Sequence, residues 1–397
     1  MFTLDGSVVN IAIPTLAREF SCHLRDIEWV IIGYLAVIVV FLLPVAGLAT
    51  RIGQRRVFAI GLAVFTVGSV LCGSAEGLRS LVAFRLVQAS GAVCMAALMS
   101  STVTRVFPKN ELGRALGFVT TAATLGTSLG PTIGGFLVSL AGWRAIFYVN
   151  IPVGLAAIVL VLASLPKDSS RPTVPRTHPL ALLTNTRLLS GLFGRFSTMA
   201  ANGAYLFLCP VLLETGMGFS TDKSGILLAF TPIIVGVTAP LFGALADRFG
   251  SRLFNIAGIL AMLAGTATMA GFSADMGVGG FLLRVALWGI GLGMFNSPNN
   301  INIMGSVQPH QNSSASALLS LSIMLGQIAG VSSAGALLGL FVAASVPGTP
   351  PLSAAPDILA PAIGHSLACF SVLLGAVLLL NLRRPTSIPL PHPLPTT

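Results

Sequence analysis

Asp5, Arg85, Arg195 and Arg284 stand inside long apolar stretches of this 397-residue chain, and Glu214 stands near the end of another. An ionised side chain at bilayer depth is costly, so it marks an ion or proton path, or an internal partner, by default. Burial raises the proton affinity of a carboxyl and a neighbouring cation lowers it. Asp5 can therefore take up and release a proton if its distance to a cation differs between two states, with Arg85 as the cation that tunes it. The competing reading makes Asp5 a static partner of an arginine or of a helix end. Arg195 and Arg284 read as structural, or as side chains snorkelling to a surface.

Other chemistry finds little material. The five cysteines, Cys22, Cys72, Cys94, Cys209 and Cys369, have no short paired spacing, so they define neither a disulfide framework nor a zinc site. His23, His178, His310, His365 and His392 fall in loops or near span ends without metal-ligand spacing. None of the three lysines, Lys109, Lys167 and Lys223, follows a glycine, so no phosphate-binding loop for ATP is present. With no nucleophile beside a base, an enzyme is not expected, nor is a cofactor. An ion gradient, with the proton as the coupling ion, is the expected energy source. Asn10, Gln88, Asn296, Asn299 and Asn300 are the polar candidates for lining a substrate path, Asn299 and Asn300 standing beside Pro298, where a helix breaks. Interhelical hydrogen bonding is the alternative for the asparagines, Asn150 included. Phe118, Met199, Phe207 and Met294 suit a broad apolar pocket, or simply packing and lipid contact.

The elements that must position these groups follow from composition. Of the residues, 54% are apolar and 9% charged, against about 25% charged in a soluble domain. Stretches near the roughly 20 residues that cross a bilayer recur twelve times, from 1–17, 29–49 and 57–74 through to 314–345 and 358–382. The net charge of +10 forms no basic, aromatic-laced patch for nucleic acid. With the N-terminus inside, the connections and tail on the inner side hold fourteen basic residues and those on the outer side hold five, which satisfies the positive-inside rule with both termini cytoplasmic. Asp5 then lies about 18 Å deeper than Ala17, at 1.5 Å per residue. Few residues remain to complete the inner leaflet, so the first helix is expected to begin upstream.

The polar, proline-rich segment "PKDSSRPTVPRTHPLALLTNT" divides the chain into six spans and six. The expected organisation is a helical bundle over 1–165, a linker over 166–187, a second bundle over 188–382 and a tail over 383–397. Internal repetition agrees, since "AGLATRIGQR" and "GALADRFGSR" recur 197 residues apart, while Arg85 and Arg284 stand 199 apart. The two loop copies nominate Arg51, Gly53, Arg55, Asp247, Arg248, Gly250 and Arg252 as gating residues.

A further pattern is Gly117, Gly126, Gly130, Pro131, Gly134 and Gly135 within the fifth span. Gly126, Gly130 and Gly134 fall at i, i+4 and i+8, a small-residue face on which another backbone can approach closely. The backbone carbonyl freed by Pro131 is tolerable where a neighbouring helix or hydroxyl satisfies it.

That spacing resembles the antiporter motif of the major facilitator superfamily. "LDGSVVNIAIP", "RLVQASG", "GWRAIFYVNIPVG" and "NSPNN" are similar to motifs of its drug:proton antiporter branch, particularly the fourteen-helix multidrug efflux subgroup. The resemblance implies an all-α membrane protein with two six-helix bundles around a central cavity, exporting drugs or other amphiphilic molecules in exchange for protons. It departs from the subgroup in having Thr50 where an Asp is usual and a linker in place of two extra helices. A hydrophobic or cationic small molecule, the lipid bilayer, a monomeric state and the cytoplasmic membrane are the corresponding expectations. A non-transporting sensor or inactive relic, and a metabolite symporter, are the competing functions.

Overall fold

The computed structural model describes residues 1–106, 126, 129–165, 182, 184–308 and 311–383. Gly117, most of the 166–187 linker and the tail from Arg384 onward therefore lie outside the described residues. The described chain is helical because lipid leaves backbone polar groups no partner except one another. The helices are α1 (Phe2–Glu19), α2 (Leu24–Ile52), α3 (Gln54–Gly73) and α4 (Leu78–Val106), then α5 (Leu129–Ala141) and α6 (Ala145–Ser164). After the linker come α7 (Thr186–Gly216), α8 (Thr221–Phe249), α9 (Ser251–Met269), α10 (Gly277–Met304), α11 (Asn312–Ser345) and α12 (Pro356–Leu382). Among the described residues, nine of these, α3, α4 and α6 to α12, are long and apolar enough to cross a membrane.

Burial sorts the helices by layer. α7 is the most deeply buried span, and α6 turns Val153, Leu155, Val159 and Leu160 outward. Such residues would be anomalous on a soluble surface, but on a spanning helix they suit the lipid. One continuous apolar core joins Val8 and Ile11 of α1 and Val30 of α2 to Ala200 and Tyr205 of α7 and Val331 and Leu338 of α11.

The sequence repeat has a structural counterpart. Gly53 ends α2 at φ 104° and Gly250 ends α8 at φ 88°. Only glycine tolerates such angles without a steric penalty, so the sharp turn into the next helix depends on it in both copies. Two residues later, Arg55 donates to the Leu162 carbonyl of α6, and Arg252 donates to the Leu382 carbonyl of α12 at 2.9 Å. A guanidinium at the last carbonyls of a helix also complements its dipole. Each loop arginine thus ties the third helix of its half to the sixth. Arg51 and Arg248 are exposed.

Gly130 and Gly134 of α5, with Gly126 ahead of its first described turn, meet α1 in register. A side chain at Gly126 would reach Thr3 Oγ1, one at Gly130 would overlap the Ser7 hydroxyl, and one at Gly134 would come within 2.7 Å of Ile11 Cγ2. Both helices advance four residues per contact and run parallel, so one glycine face seats one turn of α1 after another. Ser7 Oγ also donates to the Gly126 carbonyl at 3.3 Å. The motif has a second face, on which Gly135 and the Pro131 carbonyl abut Thr221 and Gly225 at the start of α8. There Thr132 Oγ1 donates to the Gly225 carbonyl at 3.3 Å.

This register yields a stability prediction. Gly130→Val forces a branched side chain into the Ser7 contact, and overpacking of this kind costs about 1–3 kcal/mol. Gly339→Ala on α11 meets nothing within 4 Å and stays within about 0.5 kcal/mol of wild type. Thermal unfolding of the purified protein in detergent reads both, and equal melting temperatures for the two variants would contradict the register.

Candidate functional site

Asp5 lies on the face of α1 away from the glycine row, and its carboxylate is the meeting point of three helices, α1, α4 and α6. Arg85 Nη1 from α4 donates to Oδ2 at 2.6 Å. Gln88 Nε2, one turn further along α4, donates to Oδ1 at 3.0 Å, and Asn150 Nδ2 from α6 donates to the same oxygen at 2.8 Å. Gln88 Nε2 also reaches Ser69 Oγ of α3 at 2.8 Å, and Gln88 Oε1 accepts from Arg85 Nη1 at 2.6 Å. From α2, Val30 presents its carbonyl to Arg85 Nε at 3.4 Å, and the Tyr34 ring lies 4.1 Å beneath the guanidinium. Asp5 and Arg85 are each 1% exposed.

Charge explains why so many partners converge. Burying a carboxylate and a guanidinium costs several kcal/mol per ion after relaxation, and their attraction offsets this only where the remaining donors and acceptors are also satisfied. The Gln88 amide turns its oxygen to the cation and its nitrogen to the anion, which completes both shells at once. Each of these hydrogen bonds to the Asp5 carboxyl comes from a donor on α4 or α6. The Arg85–Tyr34 stacking adds a cation–π attraction, worth about 2 kcal/mol when desolvated. Removing one member leaves a buried charge without its partner.

Other ionisable groups mark the end of the molecule where α1 joins α2 and α7 joins α8. Arg18 Nη2 of α1 pairs with Glu214 Oε2 of α7 at 3.2 Å. Glu28 of α2 is 5% exposed and faces Gly335 of α11, where a side chain would overlap its Oε1. That oxygen has no hydrogen-bond partner, and α11 carries no ionisable residue. With the α5–α8 contact, these residues close the seam between the first six helices and the last six at this end.

A family model described as Major Facilitator Superfamily matches residues 1–331. The chain belongs to this superfamily. It is 30% identical over 381 residues to the riboflavin transporter RibZ of Clostridioides difficile (strain 630), covering 82% of this chain and 84% of that protein. It is 26% identical over 413 residues to the multidrug resistance protein Stp of Mycobacterium tuberculosis (strain CDC 1551 / Oshkosh), covering 87% and 75%. A crystal structure of a bacterial homolog of the human lysosomal transporter Spinster, inward-facing and unoccupied, superposes with a TM-score of 0.76 at 17% identity over 96% of this chain and 94% of that one. The chain is accordingly a multi-pass membrane protein of a transporter family.

The residues singled out in the sequence fall into distinct places within this superfamily fold. Asp5 and Arg85 are brought into direct contact. Gln88, read as a candidate for lining the path, is instead fully buried in their network. Asn299 donates to the Gly191 carbonyl of α7 at 3.1 Å, which joins two helices, and Asn10 donates to the Gly6 carbonyl of its own helix at 3.3 Å. Asn296 accepts from Arg195, and the Asn300 Oδ1 atom is buried without a partner. Of Asp247 nothing beyond its place in α8 is described.

Glu28, Tyr34 and Ser69 escaped the sequence reading. Hydropathy sets the start of the second span at Trp29, one residue beyond Glu28, so the carboxyl passes as part of a loop. Tyr34 and Ser69 carry no signal apart from helical spacing.

The network predicts strong coupling between its two ions. Asp5→Asn and Arg85→Gln each leave one buried charge unpaired, at about 3–5 kcal/mol. The double variant carries no charge at this site, and is less destabilised than the sum of the two. Melting temperatures of the three purified proteins test this, and strict additivity would show that the pair is not energetically linked.

Proposed function

We propose that the protein is a proton-coupled antiporter of the cytoplasmic membrane. It exports drugs or other amphiphilic small molecules by alternating access between the bundles 1–165 and 188–382, with 166–187 as their cytoplasmic linker. The observation that carries this reading is the Asp5 carboxylate, buried within the bundle and held by side chains from α4 and α6. A carboxylate exchanges a proton only if its donors are withdrawn and restored, and these donors stand on different helices. Rearrangement of α1 against α4 and α6 then links the charge state of Asp5 to the conformation of the bundle.

The glycine row supports the same reading. It seats α1 on α5 along one face, while Pro131 and Gly135 meet α8 across the seam. Opening the seam at α5 and α8 therefore acts on the helix that positions α1. The relatives described as multidrug resistance proteins and as a riboflavin transporter support small-molecule transport. One electrogenic proton moving through 100 mV releases about 2.3 kcal/mol, enough for roughly a fortyfold substrate gradient at 1.4 kcal/mol per factor of ten.

Everted membrane vesicles energised by respiration provide the test. Riboflavin, ethidium and other amphiphilic dyes are added one at a time while the pH gradient is followed by fluorescence. At least one compound is expected to collapse part of the gradient in vesicles carrying the protein, and none in vesicles carrying Asp5→Asn. Undiminished proton flux in that variant would remove Asp5 from the mechanism, and no flux with any compound in the wild type would contradict antiport.

A further inference from the structure

Three arginines lie at membrane depth, and their surroundings differ. Arg85 is neutralised by Asp5. Arg284 is consumed by backbone carbonyls, with Nε on Thr268 at 2.9 Å, Nη1 on Gly280 at 2.9 Å and Nη2 on Gly271 at 3.4 Å, which makes it a cap for the end of α9. Arg195 has neither arrangement. Its Nη1 donates to Asn296 Oδ1 on α10, its Nε is buried with no partner, and among the described residues no carboxylate lies within ion-pair distance of it.

Snorkelling does not account for this side chain. Arg195 stands nine residues into α7, about 14 Å from Thr186 at 1.5 Å per residue, and it reaches sideways to α10 rather than along its own helix. The carboxylate further along α7, Glu214, is about 28 Å away along the axis and is paired with Arg18. Asn300, one turn beyond Asn296 on α10, leaves its Oδ1 atom buried and unpartnered. A cation with an unused N–H, beside one amide of α10 and one turn from a second, is therefore present inside an apolar span, and among the described residues no carboxylate is paired with it. The Asp5 carboxylate on the other half is already matched by Arg85, so among the described residues the Arg195 charge stands unbalanced.

We propose that Arg195, with Asn296 and Asn300, is the docking point for a negatively charged group, a carboxylate in the simplest case, on the molecule that the protein transports. The proposal rests on the export reading and deepens it, because it makes the preferred substrate an acidic amphiphile rather than a cation. Arg195 supplies the charge-assisted donor, the strong form of hydrogen bond to a carboxylate, Asn296 Oδ1 holds the guanidinium in place, and the free Asn300 Oδ1 is an acceptor for an N–H or O–H elsewhere on the same molecule.

Three probes that share one fluorophore isolate the charge: dansyl-phenylalanine, its methyl ester and dansylcadaverine, which are anionic, neutral and cationic. Binding to the purified protein in phosphatidylcholine nanodiscs is measured by fluorescence anisotropy without any gradient, so failure of proton coupling in vesicles cannot be mistaken for failure of this site. The wild type is expected to bind dansyl-phenylalanine about tenfold more tightly than either other probe, a difference of about 1.4 kcal/mol. Arg195→Gln loses that preference and Arg195→Lys keeps part of it. Equal affinities for the three probes in the wild type, a measurement that needs no variant to fold, would overturn the proposal. So would a preference that survives Arg195→Gln. Repeating the wild-type titration with phosphatidylglycerol in the nanodisc separates a solute from a lipid headgroup: an unchanged preference supports the solute, and loss of probe binding overturns it in favour of the lipid.

Discussion

The carboxyl group of Asp5 can be buried inside an apolar bundle only because donors from α4 and α6 surround it, and much of the first half is arranged to supply them. Arg85 provides charge, Gln88 and Asn150 complete the shell, and Ser69, Tyr34 and Val30 in turn hold Gln88 and Arg85. A half-satisfied network in low dielectric would be worse than an apolar core. The geometry of α1 to α4 and α6 is therefore tied to a single oxygen pair. Its placement depends in turn on α5, whose glycines let α1 lie close enough on its opposite face for Asp5 to meet its partners.

Those glycines would be a poor choice for a helix in water, where Gly costs about 1 kcal/mol and Pro about 3 relative to Ala. Inside lipid the backbone has no competing partners, and the same residues permit the approach that orients Asp5. They also give α5 a second small face, on which it touches α8 across the seam. One short stretch thereby connects the charge network to the contact between α5 and α8, which opens in the proposed alternating-access cycle. The two halves repeat each other in architecture, as the paired Gly53 and Gly250 turns with their arginine ties show, yet they treat charge differently. Arg85 is matched by a carboxylate, whereas its repeat partner Arg284 binds backbone carbonyls, and among the described residues Arg195 has no anion within ion-pair distance.

Much of this was legible in the sequence. Hydropathy and the loop repeat outline the helices, and the spacing of Gly126, Gly130 and Gly134 announces a close helix contact, although not that α1 is the helix received. Asp5 and Arg85 stand out because charges are rare in apolar segments. Their direct contact could not be derived, since it joins residues 80 positions apart through tertiary packing. Gln88 and Asn299 read as lining candidates, and their bonds to Asp5 and to the Gly191 carbonyl were not legible because an amide in a span reads the same whether it faces a cavity or a neighbouring helix. Glu28 was missed for a related reason. A hydropathy boundary ends the apolar count at a charge, so a carboxyl buried by the opposing α11 is placed in the loop.

The central claim is that Asp5 is the group whose proton is exchanged for substrate. Proton release on ligand binding tests it most directly, with purified protein in weakly buffered detergent, a pH-sensitive dye and saturating dansyl-phenylalanine or dansylcadaverine, whichever binds more tightly. The account predicts a measurable proton release from the wild type and none from Asp5→Asn, although that variant still binds the probe. Equal release from both proteins, or probe binding to the wild type with no release at any pH examined, would contradict it.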